Sequence, residues 1–244
     1  MLANASEQET YYRFCVLHRV LHIVVAIGFT GLAVTGFSLA FSSLGPVQGF
    51  VGFFGGAGTF GYFHRFFAVV AYSCVVAHGF WFLYYKAALK GSLFGPQSIF
   101  PGKQDFRDLY DHILYLLAQR KSPPSFNRFA YWEKFDYWAV FLGMQTMGVT
   151  GLFLWFPEFF TRFFPGFFIN LAQILHFYEA IMAVVLKLFI HTATAHLRPE
   201  VYPGDWCIFT GKTTRERIIE HHPGEWEAMN ASIEDSSVKQ ENIT

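Results

Sequence analysis

Four runs of apolar residues, each about as long as a bilayer is thick, constrain this chain more than anything else in it. They cover residues 20–41, 63–85, 138–156 and 167–190. A hydrocarbon core of about 30 Å takes about 20 helical residues to cross. Inside it every backbone N–H and C=O must find a partner within the protein, which a helix provides for itself. The composition agrees: 53% of residues are hydrophobic and only 15% charged, against about 25% charged in soluble domains. The expected fold is all-α, an integral-membrane four-helix up-and-down bundle over residues 1–200, followed by a C-terminal tail over 201–244.

The connections differ in character. The first, LGPVQGFVGFFGGAGTFG, is glycine-rich, apolar and uncharged, and reads as a loop against the outer interface or under a partner subunit. The second carries DFRDLYDHILYLLAQR, whose apolar residues recur at helical spacing with charges opposite. It is expected to form a short amphipathic helix on the cytoplasmic surface. Lys86, Lys90, Lys103, Arg107, Arg120, Lys121, Arg128 and Lys134 cluster in or beside this connection, and Arg13, Arg19, Arg198, Lys212, Arg215 and Arg217 flank the termini. The third connection holds only Glu158 and Arg162. An excess of Lys and Arg marks the cytoplasmic side, so both termini and the middle connection are placed there. The first apolar run is a full span rather than a short one before a small-residue cleavage site, so no signal peptide is expected. The first ten and last dozen residues are polar and are expected to be frayed or disordered. Cys15, Cys74 and Cys207 are scattered and odd in number; they form neither a disulfide framework nor a CxxCH motif. Lipid is the surrounding partner, and no nucleic-acid partner is expected.

Against that apolar background stand two histidine pairs, His64 with His78 and His176 with His191. Ionisable residues inside spans are costly and by default functional. Fourteen residues separate the first pair, which puts both rings on one helix face about 21 Å apart; fifteen separate the second, about 22 Å apart and within roughly 60° of a shared face. In an up-and-down bundle the second and fourth helices run parallel. The imidazoles can therefore meet in two tiers, His64 with His176 near the outer face and His78 with His191 near the inner. Opposed imidazoles ligate a haem iron from both sides, so two tiers would hold two haems b. Ala68, Ala71, Ala77, Gly79, Ala180 and Ala183 leave room for a flat macrocycle. His22 lies at about the depth of His78 and His191 and competes for the inner iron, while His18 falls at the interface as a surface residue or propionate neighbour. A non-haem di-iron oxidase or desaturase is the alternative use of His18-x3-His22, His191-x4-His196 and His221-His222. It lacks an H-x-x-H-H box and leaves His64 and His176 unexplained. A purely structural membrane anchor is the remaining alternative.

The stretch RVLHIVVAIGFTGLAVTG resembles the first helix of the di-haem cytochrome b subunits of membrane-bound formate dehydrogenases and nickel–iron hydrogenases, whose pattern R-x-x-H-x-x-x-A then F-x-x-L-x-x-T-G is matched at Arg19, His22, Ala26, Phe29, Leu32, Thr35 and Gly36. FHRFFAVV at His64, ILHFYEAIMA at His176, LFIHTATAH at His191 and the tail GKTTRERIIEHHPGEW continue the likeness. NRFAYWEKFDYWAVFLGMQTMGVTGLFLWFP and HLRPEVYP are similar to a diverged branch found beside multihaem cytochromes c. The resemblance implies haem ligation by His64 with His176 and by His22 with His191. His78 remains a second candidate, since the 14/15 spacing also resembles the two-helix ladder of the cytochrome b in quinol–cytochrome c complexes.

Other polar residues take subsidiary roles. Arg65 beside His64 is a propionate partner, because guanidinium binds carboxylate in bidentate fashion. Glu179 and Lys187 lie within the fourth span; Glu179 suits a propionate environment or a proton path, and Lys187 snorkelling or a partner contact. His196 and Asp136 are candidates at a quinone site, which needs groups that pass protons. The expected function is electron transfer across a prokaryotic inner membrane between a quinone pool and a partner, either a dehydrogenase, a hydrogenase or a multihaem cytochrome c, as a subunit of a quinone-linked respiratory oxidoreductase.

Overall fold

The computed structural model describes residues 9–197, 199, 201, 202 and 204–231. Its long helices are α1 (Val16–Ala40), α3 (Gly56–Ala87), α5 (Tyr131–Trp155) and a fourth that opens as α7 (Phe167–Ala183). Each is long and apolar enough to cross a membrane, the fourth counted through His196. Their exposed side chains are largely apolar, such as Ile27, Phe66, Phe80, Leu142, Leu175 and Phe189. In water such surface would be costly; in lipid it is the expected exterior. The chain is an all-α integral-membrane bundle.

Short elements complete it: α2 (Gly45–Phe53), α4 (Lys103–Leu116), α6 (Pro157–Phe160), α8 (Thr192–His196), α9 (Cys207–Thr210), α10 (Arg215–His221), and two strands, β1 (Thr10–Tyr12) and β2 (Lys212–Thr214). The first connection, expected to be a loop, is mostly helix. Pro46 sits in the first turn of α2, where its missing N–H costs nothing. Gly55 and Gly56, at φ +93° and +87°, make the turn into α3 in a backbone region closed to most residues. The expectation of a frayed start is overturned at Thr10, which pairs with Thr214 in the antiparallel β1–β2 ladder. The rest of that stretch, 1–8, and the acidic end, 232–244, lie outside the described residues.

The chain divides into two compact units. One comprises Phe14–Leu83 and Val140–Thr210 and contains His18, His22, His64, His78, His176, His191 and His196. Its helix pairings follow close approaches of small residues. A Cβ on Gly28 would lie 3.2 Å from that of Ala71, and one on Gly148 would lie 2.7 Å from the Tyr72 ring. Thr35 meets His64 while Gly28 meets Ala71, so α1 and α3 run antiparallel. Thr150 meets His176 while Gly143 meets Glu179, so α5 and α7 do the same. His22 near His191 and Phe41 near Phe177 set α1 antiparallel to the fourth helix. The second and fourth long helices are therefore parallel, as the two-tier arrangement requires.

The other unit gathers residues 9–13, Tyr84–Ala139 and residues 211–231 among those described. Charge holds it together. The buried Glu225 carboxylate accepts from Arg13 Nη1 and Arg128 Nη1, both at 2.9 Å. His222 donates from Nδ1 to the Asn127 carbonyl at 2.8 Å and accepts at Nε2 from Arg13 Nη2 at 2.9 Å. Burial, with the Arg13 guanidinium second, pushes the His222 imidazole down to about 4. The amphipathic helix is present as α4, capped by Asp105, which accepts from the Gly102 N–H. Its polar side is the buried one. Asp105 pairs with the buried Lys134 at 2.8 Å, Asp108 is buried beside Gln104, and burial holds the Asp108 carboxyl above the ordinary carboxylate range. Phe106, Tyr110, Ile113 and Leu117 stay exposed on the apolar side. A helix with its apolar face outward is suited to lie in a membrane interface.

Candidate functional site

His64 and His176, from α3 and α7, face each other with ring centroids 6.3 Å apart. His22 of α1 and His191 of the fourth helix do so at 6.2 Å. A metal–imidazole bond of about 2.0–2.1 Å, plus roughly 1.1 Å from nitrogen to ring centre, puts two trans imidazoles about 6.2–6.4 Å apart. Both pairs therefore stand at the separation of axial ligands on one iron. His78 stands beside His18. Its ring lies 5.3 Å from that of His18, too close for trans nitrogens, and both contact Trp81, at 4.5 Å for His18 and 5.8 Å for His78. His78 also packs on Phe82 at 4.8 Å.

The fourth helix is not uniform between its two histidines. Beyond Ala183 it runs as a π-helix over Val184–His191 before α8. A π turn holds one residue more than an α turn. Over Val184–His191 the helix is wound more slowly than an α-helix, so the rotation of His191 relative to His176 departs from the roughly 60° offset expected from uniform α geometry.

His196 completes a three-histidine group, with its centroid 6.5 Å from His22 and 5.9 Å from His191. Three nitrogens on one ion would bring ring centres within about 5.5 Å of each other, so the group is wider than a single tris-histidine metal site. Among the described residues, no cluster of three or more His, Cys, Asp or Glu side chains could hold a metal ion by itself. The chemistry of this donor set is that of opposed pairs.

Two further observations fit a carboxylate-bearing macrocycle. Among the described residues, Nε of Arg19 is the one buried side-chain nitrogen or oxygen with no hydrogen-bond partner. Arg19 stands three residues before His22 and donates through Nη1 to the Phe209 carbonyl. A buried guanidinium N–H left over beside a paired imidazole is what a propionate would satisfy. Arg65, next to His64, is exposed and lies over the Trp155 ring at 5.5 Å and the Tyr62 ring at 6.0 Å. Glu179 faces the backbone of α5 at Gly143, where a Cβ would come within 2.7 Å of its Oε1. Lys187 lies in the π segment. Asp136 belongs to the other unit.

Sequence reasoning passed over Thr35, Thr150 and Arg19 as parts of the site. Thr35 Oγ1 lies 2.9 Å from His64 Nδ1, and Thr150 Oγ1 lies 2.9 Å from His176 Nδ1. A signal was available: Val-Thr-Gly occurs at 34–36 and again at 149–151. In each copy the glycine lets the histidine ring close in, with Gly36 Cα under His64 and Gly151 Cα under His176.

A multi-pass helical bundle that brings imidazoles from different spans face to face has the donor set expected of a membrane cytochrome b. The chain belongs to the prokaryotic cytochrome b561 family, whose model matches residues 13–202. This is the cytochrome b subunit family of nickel–iron hydrogenases and related complexes, and the match spans all four long helices. No curated relative matches the chain. Membership makes it a haem b-binding membrane protein that transfers electrons and works with lipid and redox partners around it.

Proposed function

We propose that this chain holds two haems b in tiers and carries electrons between a quinone and a partner redox subunit of a respiratory complex. On this reading His64 and His176 ligate the outer iron, and His22 and His191 the inner. The observation that carries it is the pair of centroid separations, 6.3 and 6.2 Å, both at the bis-imidazole value. Bound haem supplies the one-electron chemistry. The protein fixes the ligands, excludes water around them with apolar helices, and offers guanidinium groups, Arg19 at the inner tier and Arg65 at the outer, to carboxylates.

His196, beside the inner pair and on the same helix as His191, is placed to hydrogen-bond a quinone carbonyl near that tier. Asp136 is proposed as a second polar group for quinone chemistry, on its sequence position alone. The excess of Lys and Arg in the middle connection and near the termini supports an inner-membrane orientation with both termini cytoplasmic. The partner is proposed as a dehydrogenase, hydrogenase or multihaem cytochrome c subunit.

The test is spectroscopic. Purified protein should show a b-type reduced spectrum with about two haems per chain. His176→Ala should remove one of them and His191→Ala the other, resolved by their different midpoint potentials. A single haem in the wild type, or loss of the same haem in both variants, refutes the two-tier arrangement.

A further inference from the structure

We infer that Thr35 and Thr150 are positioning residues that lock His64 and His176 into the iron-binding tautomer and set the potential of the haem between them. The inference rests on the di-haem reading above.

Both hydroxyls are buried, at 5% and 6% exposure, so each proton must be placed. Thr35 Oγ1 lies 2.6 Å from the Gly31 carbonyl of its own helix, and Thr150 Oγ1 lies 2.7 Å from that of Thr146. At these distances the single hydroxyl proton is given to the carbonyl. The oxygen is then left as an acceptor toward the imidazole 2.9 Å away, and Nδ1 of each histidine must carry the proton it donates. A neutral imidazole has one N–H and one lone pair. With the proton fixed on Nδ1, the lone pair sits on Nε2, where an axial ligand needs it.

The device is built twice. Thr35 and Gly36 on α1 serve His64 on α3, and Thr150 and Gly151 on α5 serve His176 on α7. Gly28 and Gly143 recur at the same sequence offset. The outer site is thus flanked by two copies of one helix-pair unit, each copy presenting an imidazole already oriented and already in the right tautomer. Accepting a hydrogen bond from Nδ1–H also raises imidazole basicity, as partners of metal-bound histidines do. A more basic ligand favours the ferric state and lowers the potential of that haem.

The test uses the full-length, haem-loaded protein with Thr35→Val and Thr150→Val, which keep side-chain volume and lose the hydroxyl, and Thr35→Ser and Thr150→Ser, which keep it. Readouts are haem content, redox titration of each haem and the low-spin ferric EPR signals. The Val variants should raise the midpoint potential and shift the EPR signal of the His64–His176 haem alone, and weaken its retention about 10- to 100-fold. The Ser variants should restore both, and the other haem serves as the internal control. Unmoved signals in haem-loaded Val variants overturn the lock while leaving the two-haem reading intact. So do equal effects of Val and Ser, which a purely structural role predicts. A wild-type chain that takes up no haem overturns the underlying reading, and the lock with it.

Discussion

Gly36→Ala probes how little room the His64–His176 site leaves for its ligands. A Cβ at position 36 would stand 3.0 Å from His64 Cε1 and 3.5 Å from Nδ1, while one at Gly151 would stand 3.4 and 3.9 Å from the same atoms of His176. Ordinary contact begins near 3.4 Å. Gly36→Ala therefore pushes the His64 ring by about 0.4 Å, close to the roughly 0.5 Å within which a binding constellation must be held; Gly151→Ala demands no shift. Cε1 is bonded to Nε2, so the displacement reaches the ligating nitrogen almost undiminished. His176 is held in place at Nδ1 by the Thr150 hydroxyl, 2.9 Å away. Overpacking of this kind costs about 1–3 kcal/mol, which at about 1.4 kcal/mol per tenfold lowers haem affinity roughly 5- to 150-fold. The assay is haem retention per chain in detergent, followed by difference spectra as each variant is exposed to a haem-scavenging apoprotein. Gly36→Ala should lose one haem well ahead of the other, and Gly151→Ala should track the wild type. Equal behaviour of the two variants would show that ring clearance does not control this site.

Two further outcomes are expected. His22→Ala should empty the inner tier, whereas His78→Ala should leave both haems in place because His78 packs against His18 and Trp81 instead; the reverse pattern in haem counts would return His78 to the iron. Acid should loosen the tail around His222. Its folded pKa of about 4 lies below the ordinary 6.5 because the neutral form is favoured there, so its stabilisation is full above about pH 6.5 and lost as pH falls toward 4. The loss amounts to about 3 kcal/mol at most. Amide protection factors in β2 and α10, normalised to the intrinsic exchange rate at each pH, should fall between about pH 7 and 4.5, less so in His222→Asn, and pH-independent protection factors would contradict this.

Much of this architecture was legible in the chain because lipid simplifies the problem. Apolar runs of bilayer length have one solution, so the four spans and their up-and-down order could be read directly. His64, His176, His22 and His191 stood out because polar rings are rare in such runs. The first connection misled because glycine signals turns in water, whereas the apolar stretch between Leu44 and Phe54 has a proline-started helix open to it. The choice between His22 and His78 could not be made from spacing. Spacing along one helix says nothing of His22, which lies on another, and the rotation of His191 depends on the π segment before it.

The sequence by itself determined the class of fold, the number of crossings and which residue types could hold a haem, since these follow from transfer energies and helical period, both local properties. Tertiary structure decided which imidazole faces which, that the hydroxyls of Thr35 and Thr150 stand 2.9 Å from Nδ1 of two of them, and that a buried guanidinium nitrogen of Arg19, three residues before His22, is left without a partner. Those facts depend on the rotation of each helix about its own axis and on separations of a few tenths of an ångström between residues distant in the chain. Only packing of the assembled helices sets them.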